Sequence, residues 1–131
     1  MKLLFVHQNM PGQYRELIGW LASQNKHQIV FLTQRRKPPQ IKGVQTVIYK
    51  AHHEPAKDAY GLSSVWEKAT GAGYGAVLAA QKLEKEHGFV PDVIIGHTGW
   101  GELLFFKEIW PDVPIIGFFE YFYNMKGGLV G

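Results

Sequence analysis

Short apolar runs without polar alternation recur along the chain, as expected for strands that are covered on both faces. They predict five strands, at Leu3–His7, Gln28–Thr33, Val44–Tyr49, Val93–His97 and Pro114–Phe119. Apolar positions with helical spacing predict three helices, at about 13–24, 62–87 and 101–110. Strands that alternate with helices indicate an α/β fold with a parallel sheet, and right-handed crossovers favour a Rossmann-like three-layer domain with strand order 3-2-1-4-5.

A glycine-rich segment at 71–75 has the composition of a phosphate-binding loop but not its context. Such a loop follows a strand and opens a helix, whereas this segment continues the helical pattern of 66–70. We therefore expect its small residues to let a helix lie close to the sheet. Asn25 and Gly88 are expected to end the first two helices, and Pro111 the third.

Two of the predicted strands end in histidine and run through glycine into the next segment. His7 is followed by the loop 8–13, and His97 is followed by the segment 98–102. In an open parallel sheet, ligands bind outside the carboxyl ends of the strands, and strands 1 and 4 are neighbours in the predicted order. We therefore expect both histidines on the same rim of the sheet, at a binding site.

His97 is the candidate catalytic residue, because a histidine at a strand end can transfer a proton or hydrogen-bond a hydroxyl group. Its neighbouring glycines would let a ligand approach the backbone, and a helix is expected to begin at Gly101. The candidate binding residues are His7, Gln8, Asn9, Gly12, Gln13, Gly99, Trp100, Gly101, Glu102 and Glu120. Two of them have alternative roles, since Glu102 would favour the dipole of the predicted helix and Glu120 would equally suit an interface.

Composition and charge exclude several classes of protein. The 131 residues carry 14 Lys plus Arg against 11 Asp plus Glu, an excess of +3 that is too small to indicate nucleic acid without a basic stripe. The chain has no cysteine, which fits a cytoplasmic location and excludes thiolate metal ligands. His52 and His53 are adjacent and lack the spacing of a zinc site, so we assign no metal and no cofactor. No apolar run approaches the length of a membrane span.

A classical dinucleotide site is not expected either. The fingerprint G-x-G-x-x-G should join the first strand to its helix, but the loop 8–13 contains one glycine. The hypothesis of an NADP-dependent oxidoreductase is supported only by Arg35 and Arg36. These residues follow the second strand and would suit a phosphate. We interpret these arginines instead as a solvated basic loop.

The segments 1–14 and 91–102 resemble the N-terminal domain of glycosyltransferase family 4 enzymes. The likeness continues through 103–107 and 117–123, so it spans nearly the whole chain. Its most specific part is the pattern H-x-G-W-G-E from His97 to Glu102. Thr98 fills the variable position of this pattern, at which proline is expected in close relatives.

The resemblance implies the first of two Rossmann-like domains of a GT-B enzyme, which moves a sugar from a nucleotide-sugar donor to an acceptor with retention of configuration. The N-terminal domain of that fold faces the acceptor, which would be a saccharide or a lipid-linked molecule. The loop 8–13 would border the cleft, and Gly12 would allow close approach. His97 matches the family histidine that reaches toward the transferred sugar, which implies positioning or transition-state hydrogen bonding.

The family's donor-binding half carries two glutamates eight positions apart. The glutamates of this chain, at 16, 54, 67, 84, 86, 102, 108 and 120, do not show that spacing. We therefore expect the donor-binding C-terminal domain to lie outside this single-domain chain, and the chain to be inactive on its own.

A non-enzymatic alternative is a stand-alone Rossmann-like binding module that self-associates. No predicted helix follows the last strand, although both faces of such a sheet need cover. The aromatic stretch 118–123 should therefore leave an apolar patch that is suited to an interface. Peripheral contact with a membrane stays open, because the basic loop is too short to decide it.

Overall fold

The computed structural model describes residues 1–58 and 60–119, and the backbone of two short strands at 122–123 and 129–130. A parallel sheet is formed by β1 (Lys2–Val6), β2 (Gln28–Thr33), β3 (Val44–Ile48), β4 (Val93–His97) and β5 (Ile115–Phe118). The strand order is β3-β2-β1-β4-β5, which confirms the predicted order and the Rossmann-like class. β1 and β4 are neighbours, and Val6 lies beside Gly96 at the end of their pairing.

Helices cover both faces of the sheet and make the fold three layers thick. Helix α1 (Arg15–Ser23) lies on one face, and helices α2 (Gly61–His87) and α3 (Phe106–Ile109) lie on the other. Successive strand residues point to opposite faces, so β1, β2, β3 and β4 each contribute to two cores. The α1 core contains Leu3, Phe5, Tyr14, Ile18, Ile29 and Phe31, and the α2 core contains Leu4, Val6, Leu32, Ala76, Leu83, Ile94 and Phe106.

The glycine-rich segment 71–75 is helical and lies in the middle of α2, as predicted. A Cβ atom at Gly71 would overlap the carbonyl oxygen of His53, and one at Gly75 would overlap that of Lys50. These glycines therefore bring the helix backbone against the loop that follows β3. The close contact that we expected with the sheet is made with this loop instead.

The ends of the two longer helices follow their sequence signals. Asn25 has φ +53° just after α1, and Gly88 has φ +62° at the end of α2. The amide of Gly88 donates to Glu84 O, so the left-handed residue satisfies a helix carbonyl. Although α2 has 27 residues, no helix in the described part of the chain is both long and apolar enough to cross a membrane.

The third helix is much shorter than the predicted 101–110, and that prediction is wrong. Residues 101–105 form successive turns, and α3 covers four residues, Phe106–Ile109. Gly101 has φ +90°, a value that an α-helix does not contain, and a Cβ atom there would overlap the carbonyl oxygen of Ala69 in α2. Close contact with α2 therefore takes the place of a first helical turn, and there is no helix N-terminus at Gly101.

The first helix also starts later than predicted. A short 3-10 turn covers Gly12–Tyr14, and α1 begins at Arg15 instead of Gln13. The 3-10 turn is closed by a bond from Tyr14 N to Pro11 O. As a result, the loop after β1 stays compact up to the start of the helix.

The outer strand β5 exposes apolar side chains on the face that α1 covers farther along the sheet. Ile116 is 57% exposed, and Phe118 and Phe119 are exposed as well. The exposure predicted for the start of the aromatic stretch, at Phe118 and Phe119, is confirmed. Glu120 and the rest of the stretch up to 123 lie outside the residues whose side chains are described, and the strand backbones at 122–123 and 129–130 pair antiparallel.

The close contact of α2 with the loop after β3 predicts opposite effects of alanine at two helical glycines. Gly75→Ala should destabilise the fold by about 1–3 kcal/mol, because the added methyl group meets a backbone carbonyl. Gly19→Ala in α1 is the matched control, since nothing lies within 4 Å of its Cβ position. It should raise stability by about 0.5–1 kcal/mol, and urea unfolding of both variants measures the difference. Equal effects would contradict the close contact.

Candidate functional site

A cavity of about 210 Å³ opens at the carboxyl edge of the sheet, where the loops after β1, β2, β3 and β4 meet the first turns of α2. It is lined by Gln8, Gln34, Ala51, Glu54, Val65, Lys68, Ala69, Ala72, Gly99 and Trp100. Most of this lining is apolar, and a few amide and charged groups converge on it. A concave, largely apolar pocket at this edge of a parallel sheet is the usual place for a ligand site.

The two predicted histidines lie side by side beneath this edge. His7 and His97 are both buried, and their ring centroids are 5.9 Å apart with the rings nearly perpendicular. The sheet explains this geometry, because the residues end neighbouring parallel strands. The prediction that they share one rim is therefore confirmed.

Both histidines make the same local hydrogen bond. His7 Nδ1 accepts from the amide of Asn9, and His97 Nδ1 accepts from the amide of Gly99, each at 2.9 Å. With Nδ1 acting as an acceptor, the neutral ring carries its proton on Nε2. Each ring is therefore oriented by the second residue after it, with a defined tautomer.

Glycines make room for both rings. A Cβ atom at Gly12 would come within 2.8 Å of His7 Nε2, and one at Gly99 would come within 2.8 Å of His97 Cε1. Gly12 also has φ +57°, a conformation that side chains disfavour. These two predicted positions need glycine because of the imidazole rings, before any ligand is considered.

Trp100 connects the histidine pair to the cavity. Its ring stacks on His97 with a centroid distance of 5.8 Å and an interplanar angle of 28°. The tryptophan is nearly half exposed and lines the cavity, whereas His97 lies beneath it. Phe118 contacts the same histidine at 6.0 Å, so aromatic side chains from β5 and the β4 loop hold the imidazole in place.

Hydrogen bonds from two side chains hold the backbone of the loop after β1. Thr33, fully buried at the end of β2, accepts from the amide of Met10 at 3.2 Å and donates to the carbonyl of Gln8 at 3.1 Å. Arg35 Nη1 donates to the carbonyl of Met10 at 2.7 Å. Arg35 and Arg36 are both exposed on the loop after β2, as predicted for a solvated basic loop, and the Arg35 guanidinium in addition joins that loop to the loop after β1.

Glu102 closes the same loop from the opposite side. Its side chain is completely buried, and Oε1 accepts a hydrogen bond from the amide of Gln8 at 3.1 Å. Oε2 and the Tyr14 hydroxyl are buried without a hydrogen-bond partner among the described residues. The inward turn of this side chain overturns its alternative role at a helix N-terminus, and it holds the β1 loop to the β4 loop.

Burial raises the pKa of Glu102 and of two tyrosines near it. Desolvation raises the pKa of Glu102, and hydrogen bonds from its own and the Gln8 amide, together with the electrostatic effect of the nearby His97 side chain, lower it in part. Burial, with the nearby Glu102 charge, raises the pKa of Tyr14 to about 12. The pKa of Tyr49 is raised by the same two causes, so both phenols stay protonated at neutral pH.

Some of the predicted site residues line the cavity, and others lie beside or away from it. Gln8, Gly99 and Trp100 line the cavity, and His7, His97, Gly12 and Glu102 form its support. Asn9 and Gln13 are exposed on the β1 loop, and Gly101 packs against α2. Glu120 lies outside the described residues.

Sequence reasoning missed the walls that come from β2, β3 and α2. These residues are Gln34, Ala51, Glu54, Val65, Lys68, Ala69 and Ala72. A signal for part of this wall was present, because glycines at 71, 73 and 75 already pointed to a closely packed helix. The loops after β2 and β3 carry no comparable pattern.

Charged groups near the cavity do not assemble a metal centre. His53 Nε2 lies 3.2 Å from Glu67 Oε2, and the His52 ring packs against Tyr74. Within residues 1–58 and 60–119, no three His, Asp or Glu side chains come together as metal ligands.

Comparison with known families assigns the class of this domain. The sequence profile of the glycosyl transferase family 4 group matches residues 25–131. The chain therefore belongs to the glycosyl transferase family 4 group, and its function is of the glycosyltransferase type. No curated protein matches the chain.

The matched range contains one of the two histidine segments. His97 and the residues up to Glu102 lie inside it, whereas β1 and the loop 8–13 precede it. The family assignment thus includes the more specific of the two predicted segments. The β1 loop belongs to the site because the amide of Gln8 donates a hydrogen bond to Glu102.

The bond between Glu102 and Gln8 predicts a clear difference between two substitutions. Glu102→Ala removes a buried acceptor and leaves a void, so it should cost about 2–4 kcal/mol of stability. Glu102→Gln keeps an acceptor oxygen and should retain most of the stability. Urea unfolding measures both, and amide hydrogen exchange should show faster exchange at Gln8 in the alanine variant. A slow Gln8 amide in that variant would show that the bond is dispensable.

The raised pKa of Glu102 also predicts a pH dependence. Between the ordinary value of 4.5 and the folded-state pKa, the folded protein binds more protons than the unfolded chain. Stability should therefore fall as the pH rises through that window, and the loss is complete above the folded pKa. Glu102→Gln should lack this component. The unfolding free energy of the wild type minus that of the variant should therefore decrease with rising pH. A difference that stays constant from pH 4 to 8 would contradict the raised pKa.

Proposed function

We propose that this chain is the acceptor-side domain of a retaining glycosyltransferase that transfers a sugar from a nucleotide-sugar donor to a saccharide or lipid-linked acceptor. The observation that carries the proposal is the cavity between Trp100 and α2, because Trp100 also stacks on His97, which lies beside His7. Membership in the glycosyl transferase family 4 group supports it.

The cavity offers the groups that bind sugars. Sugar rings present apolar C–H faces, which an aromatic side chain covers, and hydroxyl groups, which amides and charged groups bind. Trp100 supplies the aromatic surface, and Gln8, Gln34, Glu54 and Lys68 supply donors and acceptors around it. A hexose of the acceptor would lie on the Trp100 ring with its hydroxyls toward the amides.

His97 is proposed as the residue nearest to the reacting sugar. The Gly99 amide holds its ring at Nδ1, and the imidazole is proposed as a hydrogen-bond donor to a hydroxyl of the transferred sugar. The stacked Trp100 and the neighbouring Phe118 fix the direction of that donor. This role is positioning and transition-state stabilisation, in which a fixed donor gains strength because it needs no reorganisation.

The donor would bind to a second domain outside these 131 residues. None of the glutamates in this chain has the spacing of eight positions expected for donor binding, so binding without turnover is proposed for the chain alone. The absence of cysteine is consistent with the cytoplasmic location that we propose.

The role of Trp100 is tested by titrating the isotope-labelled chain with methyl glycosides of glucose, galactose, mannose and N-acetylglucosamine. Amide signals of Gln8 and Gly99, and the indole signal of Trp100, should shift with at least one sugar. Trp100→Ala should weaken the affinity about tenfold, because the stacking surface is lost. Trp20→Ala is the matched control, since Trp20 is exposed on α1 away from the cavity lining.

Signals that stay unshifted with all four sugars would contradict acceptor binding by this cavity. If the chain then also sediments as a dimer, the alternative of a self-associating module is favoured. The exposed Phe118 and Phe119 are the observation that supports this second candidate. Equal losses in both tryptophan variants would show that stacking at Trp100 is not the cause.

A further inference from the structure

The first turns of α2 expose large apolar side chains, although an exposed helix surface is normally polar. Leu62 is 72% exposed, Val65 67% and Trp66 68%, and Tyr60 just before the helix is 74% exposed. Single exposed apolar residues need no explanation, but adjacent ones mark a binding surface.

This apolar surface is continuous with the cavity. Leu62, Val65, Ala69 and Ala72 follow the spacing i, i+3, i+7 and i+10, which places them in one stripe along the helix. Val65, Ala69 and Ala72 line the cavity, whereas Leu62 lies one turn farther out. The stripe therefore leads from the cavity to the surface over roughly 15 Å, at about 1.5 Å per residue.

The inner end of the stripe is fixed by backbone contact. A Cβ atom at Gly73 would come within 2.5 Å of the Gly101 carbonyl oxygen, so this part of α2 touches the loop after β4. The amides of Gln8 and Gln34 line the cavity from the strand ends. A ligand that follows the stripe would thus have its polar part at the strand ends and its apolar part near Leu62.

Charge near the stripe favours an uncharged apolar group over an anionic membrane surface. Lys57 and Lys68 are balanced by Glu54, Asp58 and Glu67. A membrane-binding helix is usually rich in lysine and arginine beside its apolar face. This segment has no such excess.

We propose that the acceptor is amphipathic, with a saccharide at the strand ends and an apolar group, such as an alkyl chain, along the stripe Leu62–Val65–Ala69–Ala72. The inference rests on the proposed function and adds the chemical class of the acceptor. The exposed side chains of Leu62 and Val65 are covered when the apolar group binds.

A pair of probes tests the apolar part separately from the sugar. Methyl and octyl β-D-glucopyranoside carry the same sugar, and the octyl compound is used below its micelle concentration. Octyl glucoside should bind at least tenfold more tightly than methyl glucoside, the gain expected when about two methylene groups are buried. Its binding should shift the amide signals of Leu62 and Val65 as well as those of Gln8 and Gly99.

Two serine variants assign the preference to the stripe. Leu62→Ser and Val65→Ser should reduce the octyl preference at least threefold each. Leu62→Ser should leave the affinity for methyl glucoside unchanged, since Leu62 lies outside the cavity lining, whereas Val65 lines the cavity and its variant is compared by the ratio of the two affinities. Leu78→Ser is the matched control, since Leu78 is exposed on the same helix away from the cavity lining. The amide spectra of all three variants verify that the fold is intact.

Each other outcome overturns the proposal in a distinguishable way. Equal affinities for the two glucosides would refute the amphipathic acceptor and leave saccharide binding intact. A lack of response to both glucosides and to the whole glycoside panel would refute the proposed function itself. An octyl preference that survives in both serine variants would locate the alkyl chain elsewhere. Leu62-dependent binding to vesicles of phosphatidylcholine and phosphatidylglycerol, without an octyl preference, would identify a membrane contact.

Discussion

The hydrogen bond from the Gln8 amide to the buried carboxylate of Glu102 joins the loops that follow β1 and β4. Without it, two neighbouring strands would still end side by side, but their loops would be independent segments. A buried carboxylate is costly, and its second oxygen has no partner among the described residues. Together with Thr33, it makes the edge of the sheet one preorganised surface.

The opposite wall of the cavity depends on backbone contacts of α2. Gly71 and Gly75 lie against the loop after β3, and Gly73 lies against the loop after β4. These contacts draw the helix inward over the strand ends, so Val65, Ala69 and Ala72 face the cavity. The glycines that allow α2 to pack against these loops therefore also determine the position of the cavity wall.

Much of this organisation was predictable from the sequence, and the failures have physical causes. The strand order and the pairing of His7 with His97 followed from periodicity and the rules of crossover handedness. The helix predicted at 101–110 failed because tertiary contact between Gly101 and α2 overrode local propensity. The contacts of Arg35 and Glu102 join residues that are 25 and 94 positions apart, and no local pattern contains that information.

The distance between α2 and the loop after β3 is set by main-chain atoms at Gly71 and Gly75. The side chains that line the cavity, such as Val65 and Lys68, come from positions that do not define this distance. Lining residues can therefore be exchanged while the width of the opening stays constant. In such a domain, single substitutions of lining residues can change the ligand preference without a change of fold.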